Sequence, residues 1–328
     1  MELIVLPPID NVKLTTKSKR NLIESLKMTK RSPSTRRAYT GDIDNFFIHQ
    51  TGRKLEGDDL LRHAEAFLAL EQWDMSIELN QWKAHMFDLG LSEATINRRM
   101  CSMRALINHA YITGYCKNPG RDLVQSEKVK AYRDTRGPSV AVVKQLFELP
   151  NKVYARGSVA ALRDSAILRL MAECGLRRAE VVRLMVDDYQ PAERRIMILG
   201  KGRGTNQEPM TISDRAMNAL DAYLNRAGHG TGPLFRSLDH KMDKAAGLTS
   251  NGLYTITTRY GRMLGINLNP HKLRHSAITA ALEVTSGDIG KAMRFSRHSD
   301  PKTVMIYNDN RENWQGDITG KLSDVYGD

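Results

Sequence analysis

Residues 270–276 read Pro-His-Lys-Leu-Arg-His-Ser, and they set what the surrounding sequence has to supply. Proline brings a preset backbone angle and no N–H, which suits the first turn of a helix. A helix starting there carries His271 and Arg274 on one face, where both side chains can touch a single phosphate. Two other readings compete: His271 and His275 as an i, i+4 zinc pair, and simple capping of the helix. Zinc would find no acidic or cysteine third ligand nearby, and an arginine sits inside the motif.

Residues of the same chemistry lie on either side. Arg177 follows Cys174-Gly-Leu176 at the start of a helix, beside unpaired backbone N–H groups that favour an anion. It can equally pair with Glu180 one turn on, as a surface ion pair. Lys201 stands in the turn Gly200-Lys-Gly-Arg-Gly204. Glycines there let a loop bring an ammonium close to a phosphate, and they also suit a bare hairpin tip. The turn does not have the glycine spacing of a nucleotide-binding P-loop. His298 lies in Arg297-His-Ser-Asp300, and Tyr307 closes Pro301-Lys-Thr-Val-Met-Ile-Tyr307. Taken alone, Tyr307 reads as a core aromatic behind Val304, Met305 and Ile306.

The chain has 328 residues, enough for two domains with a core each. Its 49 Lys and Arg against 37 Asp and Glu give a net charge of +12, which favours a polyanionic partner such as nucleic acid. A solvated basic surface would give the same number. Cys101, Cys116 and Cys174 are too scattered for a disulfide framework or a zinc cluster, so a reducing cytoplasm is the simplest setting. No run approaches the roughly 20 apolar residues that span a bilayer, and the expectation is a soluble protein with no membrane partner.

Along the chain, residues 11–40 hold nine basic residues and one acid, Glu24. Residues 1–30 therefore read as a basic segment, either a solvated arm or a phosphate contact. Helical periodicity appears over 35–49 (Tyr39, Ile43, Phe46, Phe47), over 64–89, and after Ser92, a good N-cap. The last of these helices places Ile96, Met100, Met103, Leu106, Ile107 and Ala110 on one face, with Arg98, Arg99 and Arg104 on or beside the other. Residues 31–125 thus form a helical domain, and the polar stretch around Gly137-Pro138 is a linker, bounded at 126–138. A second domain, 139–307, begins with helices at 140–149, 158–173 and 178–185. A hairpin of 195–199 and 208–212 follows, then helices at 214–227, 250–264, 272–283 and 289–295. The fold class is mainly α with a small antiparallel β-sheet. In the tail, 308–328, Ile318, Leu322 and Val325 are spaced to form an apolar helical face that can dock on a neighbouring protomer or on its own domain.

In chain order, Cys174-Gly-Leu-Arg-Arg-Ala-Glu180, Gly200-Lys-Gly202, His271-Lys-Leu-Arg-His-Ser276 and Arg297-His-Ser-Asp-Pro-Lys-Thr-Val-Met-Ile-Tyr307 resemble the signature blocks of the tyrosine recombinase (phage integrase) family. The resemblance spans about residues 163–307. Ser34-Thr-Arg-Arg-Ala-Tyr39 and Thr95-Ile-Asn-Arg-Arg-Met100 are similar, more weakly, to that family's core-binding domain. The resemblance implies that Arg177, Lys201, His271, Arg274 and His298 surround a scissile phosphate, that Tyr307 is the nucleophile, and that Glu180 supports Arg177. Arg36, Arg37, Arg98, Arg99 and Arg104 are the expected DNA-binding residues of the first domain. One position departs from the pattern: Arg297 stands where the family usually has glycine, either altering the packing beside the site or adding a phosphate contact.

A phosphodiester gains charge in its pentacoordinate transition state, and guanidinium forks meet that need without a metal or other cofactor. Tyr307, with an ordinary pKa of about 10, needs help losing its proton. His271 is the candidate for that help, Lys201 for protonating the departing 5′ oxygen, and His298 for a hydrogen bond to the phosphate. The product is a 3′-phosphotyrosyl link, reversible without ATP. By resemblance, the two domains form a clamp on double-stranded DNA with inverted-repeat sites, four protomers assemble head to tail, and the setting is the cytoplasm of a bacterium. The alternatives are a type IB topoisomerase-like enzyme and a non-catalytic DNA-binding protein with the same fold.

Overall fold

Eight of the helices begin where the sequence offers a side chain to accept their first backbone N–H groups. Asn21, Ser92, Ser139, Ser158, Ser213, Thr249, Asn269 and Asp288 each do so. Prolines occupy the first turns at Pro33 and Pro270. The computed structural model describes residues 21–120, 122–129, 137–200, 206–239, 241–309 and 314–327, and the chain divides into two units, Met1–Ala131 and Tyr132–Asp328.

The first unit is helical: α1 (Leu22–Met28), α2 (Pro33–Thr51), α3 (Gly57–Leu68), α4 (Gln72–Asp88) and α5 (Glu93–Ile112). Its core is built on Phe46, whose ring meets Phe67 at 4.8 Å, Phe47 at 5.1 Å and Trp82 at 5.2 Å, all edge to face. That geometry sets the positive ring edges against negative ring faces.

Three features differ from the sequence expectation. Residues 22–28 form α1, which buries Leu22, Ile23 and Leu26, because an apolar stripe lies among the lysines that dominate the segment; residues 1–20 lie outside the described residues. The single helical region expected at 64–89 is two helices. Leu70 N–H bonds back to Phe67 and Glu71 turns extended (ψ 158°), with no glycine or proline to mark the break. Ser126 and Glu127, expected in the linker, fall in the first unit, next to residues already expected there. Leu123 and Val124 are buried, Ser76 Oγ donates to Leu123 O at 2.7 Å, and Asn97 exchanges two hydrogen bonds with the Glu127 backbone.

The second unit comprises α6 (Val140–Val153), α7 (Val159–Glu173), α8 (Arg178–Val181), β1 (Tyr189–Gln190), β2 (Arg195–Leu199), β3 (Gln207–Thr211), α9 (Asp214–Ala227), α10 (Ser250–Met263), α11 (Pro270–Val284), α12 (Ile289–Ser296), α13 (Pro301–Asp309) and α14 (Trp314–Tyr326). The sheet is antiparallel in the order β1-β2-β3. It has one strand more than the expected hairpin, because two residues are too few to show an alternation. Ile196 and Ile198 of β2 point into the main core, and Pro209 is tolerated because β3 is an edge. The helix expected over 178–185 stops after one turn, and the chain passes into the sheet.

A smaller cluster of Ile278, Leu282, Ala292, Val304 and Tyr307 joins α11, α12 and α13. On α14, Ile318 is 53%, Leu322 43% and Val325 73% exposed. Among the described residues no helix is long and apolar enough to cross a membrane.

The aromatic cluster makes the first unit testable. Phe46→Ala removes the ring that touches three others and should cost about 3–5 kcal/mol, measured by urea unfolding followed by circular dichroism. A loss under about 1 kcal/mol would place the core elsewhere.

Candidate active site

The site starts at the end of α7, where Gly175 takes a left-handed φ of 59° and turns the chain into α8. Glycine suits that angle, and a Cβ there would meet the Phe295 ring at 3.1 Å. The turn sets Arg177 at the N-cap of α8. Its Nη1 donates to Glu180 Oε1 at 2.8 Å and its Nη2 to the carbonyl of Arg297 at 3.1 Å. Glu180, only 3% exposed, also accepts the Arg177 backbone N–H at 2.7 Å and Arg297 Nη2 at 2.8 Å. The ion pair between Arg177 and Glu180 is therefore a buried one on the carboxylate side.

Arg274 lies on the buried side of α11. Its guanidinium donates to the carbonyls of Gly175 and Ser296, and its Nη2 lies 3.3 Å from His298 Nε2. His298 Nδ1 lies 3.0 Å from Ser296 Oγ. The His298 ring is nearly parallel to that of Tyr307, at a centroid distance of 6.3 Å and an angle of 21°. On its other contacts Tyr307 meets the edge of His275 at 5.0 Å, and His275 meets His271 at 4.0 Å. Arg177, Glu180, His271, Arg274, His298 and Tyr307 thus form one connected cluster. Lys201 lies outside the described residues, although β3, which follows it, reaches the cluster where Met210 Sδ accepts from Arg297 Nη1 at 3.4 Å.

The cluster is electropositive. Burial, then Arg177 and Arg297, press the Arg274 guanidinium down to about 9, which leaves it charged at neutral pH. Burial, then Arg274, Arg177 and Arg297, lower His298 to about 4, so its imidazole is neutral. Burial alone would raise the Glu180 carboxyl, but Arg297 and then Arg177 outweigh it and hold the group below the ordinary range. Tyr307 is raised by burial, against the pull of Arg274 and Arg177, and stays a phenol. Two fixed guanidiniums, a neutral imidazole and a tyrosine hydroxyl together can bind a tetrahedral anion and attack it.

Gly175 and Ser296, which hold Arg274, carry no site role in the sequence reading; His275, weighed there only as half of a zinc pair, packs against His271 and Tyr307, and the Arg297 side chain turns inward onto Glu180. Arg297 stood out beforehand, as a departure from a pattern. No group of three or more His, Cys, Asp or Glu among the described residues is arranged to hold a metal ion.

The arginines expected to bind DNA belong to the first unit. Arg98 pairs with the buried Asp42, Arg99 donates to Asn45 Oδ1 at 2.8 Å, and Arg104 donates to Val124 O at 2.6 Å. Arg36 and Arg37 are exposed at the start of α2, and Arg36 Nε donates to Lys30 O at 2.7 Å.

Comparison with known proteins places the chain in a family. The pattern of the phage integrase family matches residues 140–313. A tyrosine recombinase of Synechococcus elongatus is 37% identical over 314 residues, 94% of this chain and 94% of its own. One of Synechocystis sp. is 37% identical over 309 residues, 93% of this chain and 95% of its own. Among solved structures, a lambda integrase dimer bound to a core site covers 91% of this chain and 96% of its own with a TM-score of 0.63 at 12% identity. XerH site-specific recombinase bound to a palindromic difH substrate covers 97% of both chains with a TM-score of 0.60 at 15% identity; these two likenesses concern the fold alone. With the family pattern lying over the blocks that build the cluster, and relatives matched along nearly their whole length, the chain belongs to the tyrosine recombinase (phage integrase) family.

Proposed function

We propose that the protein is a site-specific DNA recombinase that breaks and rejoins strands through a covalent bond from Tyr307 to a 3′ phosphate. The observation that carries the reading is the placement of the Tyr307 ring against His298, which is itself in contact with Arg274. A tyrosine with a purely structural place in a core would have no reason to lie within the electrostatic reach of Arg274 and Arg177.

The phosphate enters between Arg177 and Arg274, which neutralise its non-bridging oxygens as charge develops. Tyr307 Oη attacks phosphorus, the bond to the 5′ oxygen breaks, His271 accepts the phenol proton, and Lys201 protonates the leaving oxygen. The phosphotyrosyl link keeps the energy of the broken bond, so a 5′ hydroxyl from another strand reverses the step without ATP, and the fixed cations supply the charge a metal would otherwise bring. In the resting site His298 Nε2 faces Arg274 as an acceptor, which places the proton on Nδ1 toward Ser296 Oγ. A bound phosphate offsets the cations around His298 and favours its protonation, which turns it into a donor toward the phosphate.

The recombination substrate is double-stranded DNA with inverted-repeat sites, and a homotetramer is the working assembly. The exposed face of Ile318, Leu322 and Val325 on α14 supports docking on a neighbouring protomer. Arg36 and Arg37 track the DNA backbone, while Arg98, Arg99 and Arg104 reach it only by sharing donors with their internal partners. The domains close on the DNA as a clamp, in the bacterial cytoplasm.

A pool of nicked duplexes of randomised sequence, incubated with the protein and trapped in detergent, will yield a covalent adduct whose sequence reveals the site. Tyr307→Phe should abolish the adduct while leaving DNA affinity largely intact, and Arg177→Ala should lose rate far more than affinity, since non-specific binding is spread over many phosphates. Adduct formation by Tyr307→Phe would defeat the assignment.

His298 gives a second test. Its folded value lies below the ordinary histidine value of about 6.5, so the unfolded chain binds more protons between the two. The stability it contributes is therefore present above about pH 6.5 and lost as pH falls toward about 4. NMR of the ring nitrogens should find a midpoint near 4 in the free protein and a higher one with DNA bound. An ordinary midpoint in the free protein would mean that the ring is neither buried nor faced by the guanidiniums.

A further inference from the structure

We propose that Arg297 is a positioning residue that braces Glu180, and through it Arg177, against strand β3, so that the phosphate-binding guanidinium keeps both its direction and its charge. The inference rests on the recombinase reading above. Arg297 is the C-cap of α12 with φ 56°, a backbone region that glycine enters freely and other residues seldom do. An arginine kept there has to return something through its side chain.

That side chain is 9% exposed and turned inward. Nη2 donates to Glu180 Oε2 at 2.8 Å, Nη1 lies 3.3 Å from the carbonyl of Phe295 and 3.4 Å from Met210 Sδ, and Nε lies 3.7 Å from Glu208 Oε1. Met210 and Glu208 belong to β3, and Glu180 to α8. The guanidinium therefore ties the sheet to the helix that Arg177 caps. Its own carbonyl accepts from Arg177 Nη2, so residue 297 touches Arg177 directly by its main chain and indirectly by its side chain. Glycine would keep the first link and lose the second.

The charge balance gives the side chain a further role. If Glu180 faced Arg177 alone, the pair would be nearly neutral, and the arginine would offer a phosphate little field. With Arg297 on the second carboxylate oxygen, the negative charge is shared between two guanidiniums, and the three groups together keep a net positive charge. This disfavours direct phosphate contact by Arg297 itself, whose donors point at protein acceptors.

The test uses the full chain and a nicked duplex selected for adduct formation by the wild-type protein, with single-turnover adduct rate and equilibrium affinity measured side by side. Arg297→Gly, which suits the backbone angle and should keep the melting temperature close to wild type, is expected to slow adduct formation by roughly 10- to 100-fold, as for one lost charged hydrogen bond, with affinity little changed. Arg297→Lys should recover part of the rate, since an ammonium still balances Glu180. In a Glu180→Gln background the same Arg297→Gly change should cost much less, because the carboxylate it balances is gone. An unchanged rate, an affinity loss as large as the rate loss, or equal costs in both backgrounds would each overturn the role. Failure of the wild-type protein to form any adduct would overturn the recombinase reading with it.

Discussion

The buried carboxylate of Glu180 is the contact on which the rest of the site depends. It accepts from the Arg177 side chain, the Arg177 backbone and Arg297, and it does so almost wholly out of water. A charge in that position is tolerable only when paired and hydrogen-bonded on both oxygens. The same pairing fixes Arg177, closes the first turn of α8 and draws β3 toward the end of α12. Without it, three guanidiniums gathered in one small volume would repel one another with little to hold them.

Glu180 alone cannot supply all the negative character such a cluster needs, and a second full carboxylate on Arg274 would cancel the attraction for a phosphate. The fold meets the difficulty with backbone carbonyls. Arg274 donates to Gly175 O, just past the end of α7, and to Ser296 O, the last residue of α12. The final carbonyls of a helix lack internal partners and carry partial negative charge. One helix C-terminal carbonyl, from α12, and one carbonyl of the turn after α7 therefore hold the guanidinium in place while leaving its charge uncancelled. This explains why the site sits where α7, α11 and α12 come together, and why Gly175 must adopt φ 59° to aim its carbonyl.

What the sequence could reveal follows from the same physics. Arg177, His271, Arg274, His298 and Tyr307 are legible as an ordered set because each residue type suits an anion and the spacings repeat a family pattern. The long helices are legible from periodicity and their caps. Less was visible where structure is made by backbone groups or by local exceptions. Nothing in the letters distinguishes the carbonyls of Gly175 and Ser296 from any others. The break between α3 and α4 has no glycine or proline, α1 hides its apolar stripe among lysines, and β1 is too short for any pattern. Arg297 was visible as an oddity, but whether its side chain turned toward DNA or toward Glu180 depended on where β3 and α8 lie in space.

The proton state of Tyr307 places a last constraint on the chemistry. In the free site the phenol is raised by burial and lowered by Arg274 and Arg177, so the two cations are what make ionisation approachable. A phosphate arriving between them takes up much of that field, and the phenol becomes harder to ionise at the moment it is needed. A preformed phenolate therefore does not suit this site. In the proposed reaction the proton therefore leaves as the oxygen–phosphorus bond forms, so that negative charge passes to the phosphate oxygens between the two guanidiniums. This makes a proton acceptor close to Tyr307 a requirement of the geometry, and it gives a physical reason for the run of histidines, His271 and His275, that ends against the Tyr307 ring.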